Sequence, residues 1–422
     1  MKIEQPFLKV RQNQAAPLLS GSLDEALAEA LAGIDWDRQD LTGLTVGITA
    51  GSRGIDRIVE TLAALVRQVR SRGGRPVIIP AMGTHGGDTA QRQIDLLASL
   101  GLTEASLGCP FNSQVETVLM GHTTEGVPVY CSRAALEVDQ LLIVNRVKPH
   151  TDFSGEIESG LAKMMTIGLG AHRGAESAHL FARKLGHEKV FTSVAELLKE
   201  KLPVLAGLGL YENWQGRLAG LEAFRPEEML TGEKRLLAKV KEMSIKLPFE
   251  ELDVLIVGEA GKNISGTGMD TKVIGRIMVK GQPEPEKPRI GCLAVLNLTE
   301  ESHGNGCGLG LAEITTKKVL DRFDFLTTAD NSISSMAPEQ GRLPCVVAND
   351  YQAISSAIAT LGPVPIAEVR IAYIRNTLRL ETLAVGQALR PLVENNTGLE
   401  ILGPAEALVF DADGQLLSFR DF

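Results

Sequence analysis

The sequence predicts an α/β protein of two domains. The N-terminal domain is Rossmann-like, a parallel sheet with ligand loops at its strand ends, and the second domain is smaller and also α/β. Three observations predict this. Short apolar runs alternate with amphipathic helical patterns along the chain. Three of these runs, at 44–48, 76–80 and 252–257, end in glycine-containing loops. Glycine supplies 43 of 422 residues, above the usual share of roughly 7%, as expected where many strands turn tightly into helices.

Ser22-Leu-Asp-Glu25 reads as a capping box opening the first helix. An apolar strand at 44–48 ends in Ala-Gly-Ser-Arg-Gly and is followed by an amphipathic stretch, 55–69, stopped by Gly73-Gly74. A second strand, 76–80, ends in Gly83-Thr-His-Gly-Gly87, and a helical pattern covers 91–100. A third strand, 140–145, ends in Arg-Val-Lys-Pro-His150. Residues 226–245 form a charged helical stretch that Gly232 is expected to break. Pro248 and a new strand, 252–257, follow, so the domains are read as 1–247 and 248–422. Further strands are expected near 290–296, 346–348 and 369–373.

Composition narrows the function. The charges sum to −9, which argues against a nucleic-acid or anionic-membrane partner. Aromatics are 4%, too few for a base-stacking surface. Five cysteines, none in a C-x-x-C pair, make a disulfide framework improbable and are read as apolar fillers. The opening MKIEQPFLKV has no apolar h-region and no run is long enough to span a membrane, so a cytoplasmic location is expected. No G-x-G-x-x-G, Walker A, H-E-x-x-H or G-x-S-x-G occurs, which disfavours nicotinamide dehydrogenases, P-loop NTPases, zincins and serine hydrolases.

In open α/β sheets ligands gather at the carboxyl ends of strands. Arg53, His85 and His150 follow the first three strong strands, where glycine-rich loops can also cradle a phosphate. A turn-only reading of these loops stands beside the functional one. Of seven histidines, His150, His172, His179 and His187 crowd one stretch around Lys163. His122, His187 and His303 are read as structural or surface, and Met164-Met165 as core. Gly174 makes a shared face for His172 and His179 doubtful. Glu156 and Glu158 would diverge, so a paired-carboxylate mechanism is not supported. Lys262 and Lys272 flank a glycine-rich loop that is either an anion site or a solvated turn.

The order Ser52-Arg53, Gly-Thr-His85-Gly, Pro-His150, Ser-Gly, Lys163, His179 resembles the nickel-dependent lactate racemase family over roughly residues 40–200. The resemblance implies a nickel-pincer mononucleotide, with Lys163 as its covalent tether and His179 as the protein ligand to nickel. It implies His85 and His150 as the two acid/base groups on opposite sides of a 2-hydroxy acid. Arg53 would hold the substrate carboxylate or the cofactor phosphate, and Ser52 would help bind that phosphate; Lys262 is a substrate-binding candidate from its own glycine-rich loop and not from the resemblance. Separate cofactor-building enzymes are implied as partners. The chain departs from lactate-specific members in the longer gap between His150 and Lys163, in Gly-Gly after His85, and in the Lys262–Asp270 segment. These departures point to a larger or more polar 2-hydroxy acid, such as a sugar acid. Two alternatives are a cofactor-independent enzyme using Lys163 as base or Schiff-base group, and a non-catalytic nucleotide- or metal-binding module.

Overall fold

The computed structural model describes residues 3, 5–85, 87 and 89–419. The chain forms two compact units, Ala16–His150 with Ser154–Ser244, and Ile245–Phe422 with Met1–Ala15 and Thr151–Phe153. Strand β1 (Phe7–Gln12) therefore opens the chain but lies in the unit built mainly by the C-terminal residues.

The unit of 16–150 and 154–244 is built on β2 (Thr45–Ala50), β3 (Arg75–Pro80), β6 (Gln140–Arg146), β7 (Val204–Glu212) and β8 (Leu218–Phe224), ordered β3-β2-β6-β7-β8. The first four strands run parallel and β8 is antiparallel to β7. The all-parallel expectation is corrected at this edge, because a short turn returns the chain directly beside β7 and a tight hairpin can only be antiparallel. A separate ribbon pairs β4 (Thr117–His122) with β5 (Pro128–Ser132), and the sequence reading had no strand there. The apolar stripe of helix Ile58–Ser71 buries Leu62, Leu65, Val66 and Val69 against Ile48 and Ile78 of the sheet. Helix Leu23–Ala32 starts at Ser22 with both halves of the capping box formed. Helix Met229–Met243 runs through Gly232 without a break. The glycine is needed because a Cβ there would lie 2.3 Å from the Phe224 ring, so its small size serves packing rather than termination.

The second unit holds an eight-stranded sheet. Its strands are β9 (Glu251–Val257), β10 (Arg289–Val295), β11 (Ile314–Thr316), β12 (Cys345–Val347), β13 (Ile371–Asn376), β14 (Arg379–Gly386) and β15 (Leu399–Ile401), together with β1. The order is β12-β11-β10-β9-β13-β14-β1-β15. The five strands from β12 to β13 are parallel, whereas β14, β1 and β15 continue the sheet antiparallel. This corrects the assignment of residues 1–247 to one domain. Phe7, Leu8 and Val10 of β1 are buried, and the strand's register runs Phe7↔Gly386 to Arg11↔Thr382. A six-residue strand whose partner lies more than 370 positions away leaves no local trace of where it pairs.

Four cysteines are buried, Cys345 is exposed, and all five are free thiols. No helix among the described residues is long and apolar enough to cross a membrane.

Candidate functional site

In the first sheet β2 leads to β3 on one side, and β6 returns on the other. The carboxyl ends of β2 and β6 thus flank a topological switch point, where loops diverge and leave a crevice. Ser52-Arg53 leave β2, the His85 loop leaves β3, and His150 follows β6. The loop carrying His85 needs glycine at 83, where φ is +61° and a Cβ would meet the Ile167 side chain at 2.8 Å. Its amide donates to the Gly168 carbonyl at 3.4 Å. The His85 loop is thereby seated on the segment that follows Lys163.

Lys163 ends a short helical turn (Leu161–Lys163) that continues as a π-helix, Met164–Gly168. π-Helical turns are rare and recur at functional sites. Met164 and Met165 are buried, as their core reading requires. Helix Ala171–Leu185 then carries His179, and helix His187–Lys201 begins at His187. The first of these starts ahead of Gly174, which is buried against the Thr166 carbonyl. His172 and His179 therefore share one helix seven residues apart, which corrects the doubt raised by Gly174. His172 is exposed and His179 half-buried.

These side chains form one cluster. The His85 Nδ1 lies 2.6 Å from the Ser52 hydroxyl, and its Nε2 lies 3.4 Å from an Arg53 guanidinium nitrogen. Arginine only donates, so Nε2 carries the lone pair and Nδ1–H donates to Ser52. Although the His85 side chain reaches solvent, loss of hydration and then the Arg53 and Lys163 charges push its pKa down to about 4. Burial, followed by the Lys163 charge, also lowers His179. Burial, then His179 and Lys163, brings His187 down to about 4. Lys163 is thus the common cationic neighbour of three neutral imidazoles. His187 stacks on His150 at 6.4 Å between ring centroids and meets His179 edge-on at 6.1 Å. Arg53 is held low by desolvation and by Arg146, while Arg146 is ion-paired with Glu212. Among the described residues no carboxylate reaches Arg53, so it offers a cation to an anionic ligand.

His150 is fixed through its backbone. Its N–H donates to Glu158 Oε2 at 2.5 Å. Fully buried Glu158 also accepts from Gly155 N–H at 3.1 Å and pairs with Lys241 at 2.6 Å. Glu156 points away to Lys234 at 2.6 Å, and the two carboxylates diverge as expected. His187, which the sequence reading set aside as structural, belongs to the cluster instead. Its helical register gave no hint of contact with His150, because that residue sits on a loop. His122 and His303 are exposed. Lys262 lies in the second unit, where its ammonium donates to the Gly266 carbonyl of its own loop. Ser52 is engaged with His85.

The neutral imidazoles have a consequence for stability. The ordinary histidine pKa is 6.5 and folded His85 titrates at about 4. Between those values the unfolded chain takes up a proton that the folded chain refuses, so stability rises with pH. The contribution is complete above 6.5 and is lost as pH falls toward 4. Melting of the cofactor-free chain should therefore drop in temperature between pH 7 and pH 5, and His85→Gln should flatten that slope. An unchanged slope would mean that His85 titrates normally.

The fold and the cluster define an α/β protein whose titratable groups gather from the strand-end loops of its first sheet and from the helical segments that carry Lys163, His179 and His187. Residues 48–190, which hold the whole cluster, match the family model described as the lactate racemase N-terminal domain. Over this stretch the chain is similar to the lactate racemase N-terminal domain. Among solved structures, the lactate racemase apoprotein from Thermoanaerobacterium thermosaccharolyticum shares the fold. The TM-score is 0.52 at 13% identity, covering 88% of this chain and 99% of that one. No curated protein matches the chain.

Proposed function

We propose that this chain is a racemase or epimerase of a 2-hydroxy acid that works with a nickel-pincer mononucleotide tethered to Lys163. The observation that carries this is the convergence of His85, His179 and His187 on Lys163 within a lactate racemase N-terminal domain. The residues present suit such a group. A metal needs a neutral imidazole lone pair, and burial keeps His179 neutral. No three His, Cys, Asp or Glu side chains converge as a metal site among the described residues. A nickel ion here would take its other donors from the cofactor, and soft sulfur with imidazole nitrogen suits that metal. When bound, the group supplies an electron-poor centre able to accept and return the hydrogen on the substrate's C2 as hydride.

The chain's own residues bind and move protons. Arg53 holds the substrate carboxylate. Ser52 accepts the Nδ1 proton of His85 and leaves the Nε2 lone pair beside Arg53, where it can take the proton of the neighbouring hydroxyl. His150, held by Glu158, serves the opposite face. Two histidines suit inversion because either can begin as base. A larger or more polar acid than lactate, such as a sugar acid, is the proposed substrate, and enzymes that build the cofactor are the partners required.

The test is intact mass and nickel content of protein co-expressed with those enzymes. One nickel and an adduct mapped to Lys163 are expected. Absence of both, beside a properly loaded control, would turn attention to Lys163 as a catalytic amine. On the loaded enzyme, Arg53→Lys should raise KM by roughly tenfold to a hundredfold with little change in kcat, because an ammonium cannot reproduce a two-point carboxylate grip. An unchanged KM would place the carboxylate elsewhere.

A further inference from the structure

Glu233 lies on helix Met229–Met243, well away in sequence from every residue discussed for the reaction, and is fully buried. A carboxyl in that position is costly unless something compensates for it. Its Oε2 accepts the Ala162 N–H at 2.8 Å. Its Oε1 is buried with no hydrogen-bond partner. Burial pushes its pKa up to about 7 against the lowering effect of the Ala162 and Leu161 amides. A side chain placed only for stability would not keep an unpaired buried oxygen when a methionine or leucine could fill the space.

What the carboxyl secures is the turn that presents Lys163. Leu161–Lys163 has no side-chain cap from its own N-cap residue, Gly160. Glu233 supplies that cap from another helix. Gly160 is tailored to it, since a Cβ there would fall 2.2 Å from Glu233 Oε1. From the other side the Asn145 amide, near the end of β6, donates to the Gly160 carbonyl at 2.7 Å. The backbone just ahead of Lys163 is therefore clamped between the sheet and helix Met229–Met243.

We infer that Glu233 is a positioning residue for Lys163, its side-chain oxygen capping the Leu161–Lys163 turn so that the lysine amine is aimed into the histidine cluster. The attachment role given to that amine rests on the proposed function, but its orientation does not. What matters is an acceptor oxygen at that reach and not its charge.

The test uses the full-length cofactor-free chain. The rate of carbamylation of Lys163 by cyanate is followed by peptide mass spectrometry in wild type, Glu233→Gln and Glu233→Asp. Glutamine keeps an acceptor at the same reach and should label within about twofold of wild type. Aspartate keeps the charge but withdraws the oxygen by one methylene, and should change the Lys163 rate by about fivefold or more, the worth of one lost hydrogen bond. Surface lysines serve as internal standards in the same digest. If Glu233→Asp does not melt cooperatively, Glu233→Asn, equally short and neutral, takes its place with the same expected change. A short variant that labels like wild type, or a glutamine variant displaced as far as the short one, overturns the role. Adduct analysis of wild type decides the other matter separately. No adduct on a chain whose labelling follows this pattern would remove the cofactor and leave the positioning role standing.

Discussion

Lys163→Ala, co-expressed with the cofactor-building enzymes, is expected to carry no adduct and to lose turnover by about 10^4-fold or more, roughly 5 kcal/mol of barrier. In the proposed function Lys163 tethers the group that would perform the chemistry, and no other side chain of the cluster can replace a primary amine. Lys163→Arg separates tethering from charge. It keeps a cation beside His85, His179 and His187 but is not nucleophilic at any working pH. It should be as inactive as the alanine variant while leaving the three imidazoles neutral. The same pair of variants distinguishes the cofactor-independent alternative. A lysine acting through a Schiff base would let borohydride trap a 2-oxo acid on the unloaded wild-type chain. With the tether role, the unloaded chain traps nothing and intact mass distinguishes loaded from unloaded protein. Appreciable turnover by Lys163→Arg would sink the tether.

His85→Ala should lower kcat by roughly 10^2- to 10^4-fold, the usual worth of a general acid or base, while the Lys163 adduct and nickel content stay at wild-type level. His85 stands on the β3 loop beside Ser52 and Arg53, so its removal takes away a proton acceptor and not a cofactor contact. With His85 absent, one epimer should still yield the 2-oxo acid in a single turnover and the other should not. His150→Ala should reverse that preference. Burial, the largest cause of the lowered His85 pKa, and the Arg53 charge persist when Lys163 is tethered, so the acidic limb of kcat/KM governed by this base should lie below the ordinary histidine range. Loss of nickel in His85→Ala would contradict the division between proton transfer and cofactor holding.

Much of the first unit can be read locally. The runs at 44–48, 76–80 and 140–145 became β2, β3 and β6 because a short apolar stretch bounded by polar or glycine-containing segments specifies a buried strand without outside help. Ser52, Arg53, His85 and His150 were visible for the same reason, as polar residues placed where such strands end. Lys163 and His179 stood out by their order and spacing and not by any periodicity. The hairpin β4–β5 was missed because its strands are only partly buried and its alternation is weak. Gly174 and Gly232 misled in the same direction from one cause. Each looks like a helix breaker in sequence, yet each is buried, Gly174 with the Thr166 carbonyl close to where a Cβ would sit and Gly232 against a Phe224 ring that leaves no room for one.

The sequence alone determined the α/β class, the strand-end loops and the residue types at them, since all depend on neighbours within a few positions. Tertiary structure alone decided three things. It carried β1 into the sheet of the second unit, through backbone pairing that no side-chain pattern encodes. It brought His187 against His150 and His179, because the approach of a helix start to a loop is set by packing. It set Glu233 under the Lys163 turn across 71 positions, where the capping residue is supplied by another element and leaves no signature beside the turn it caps.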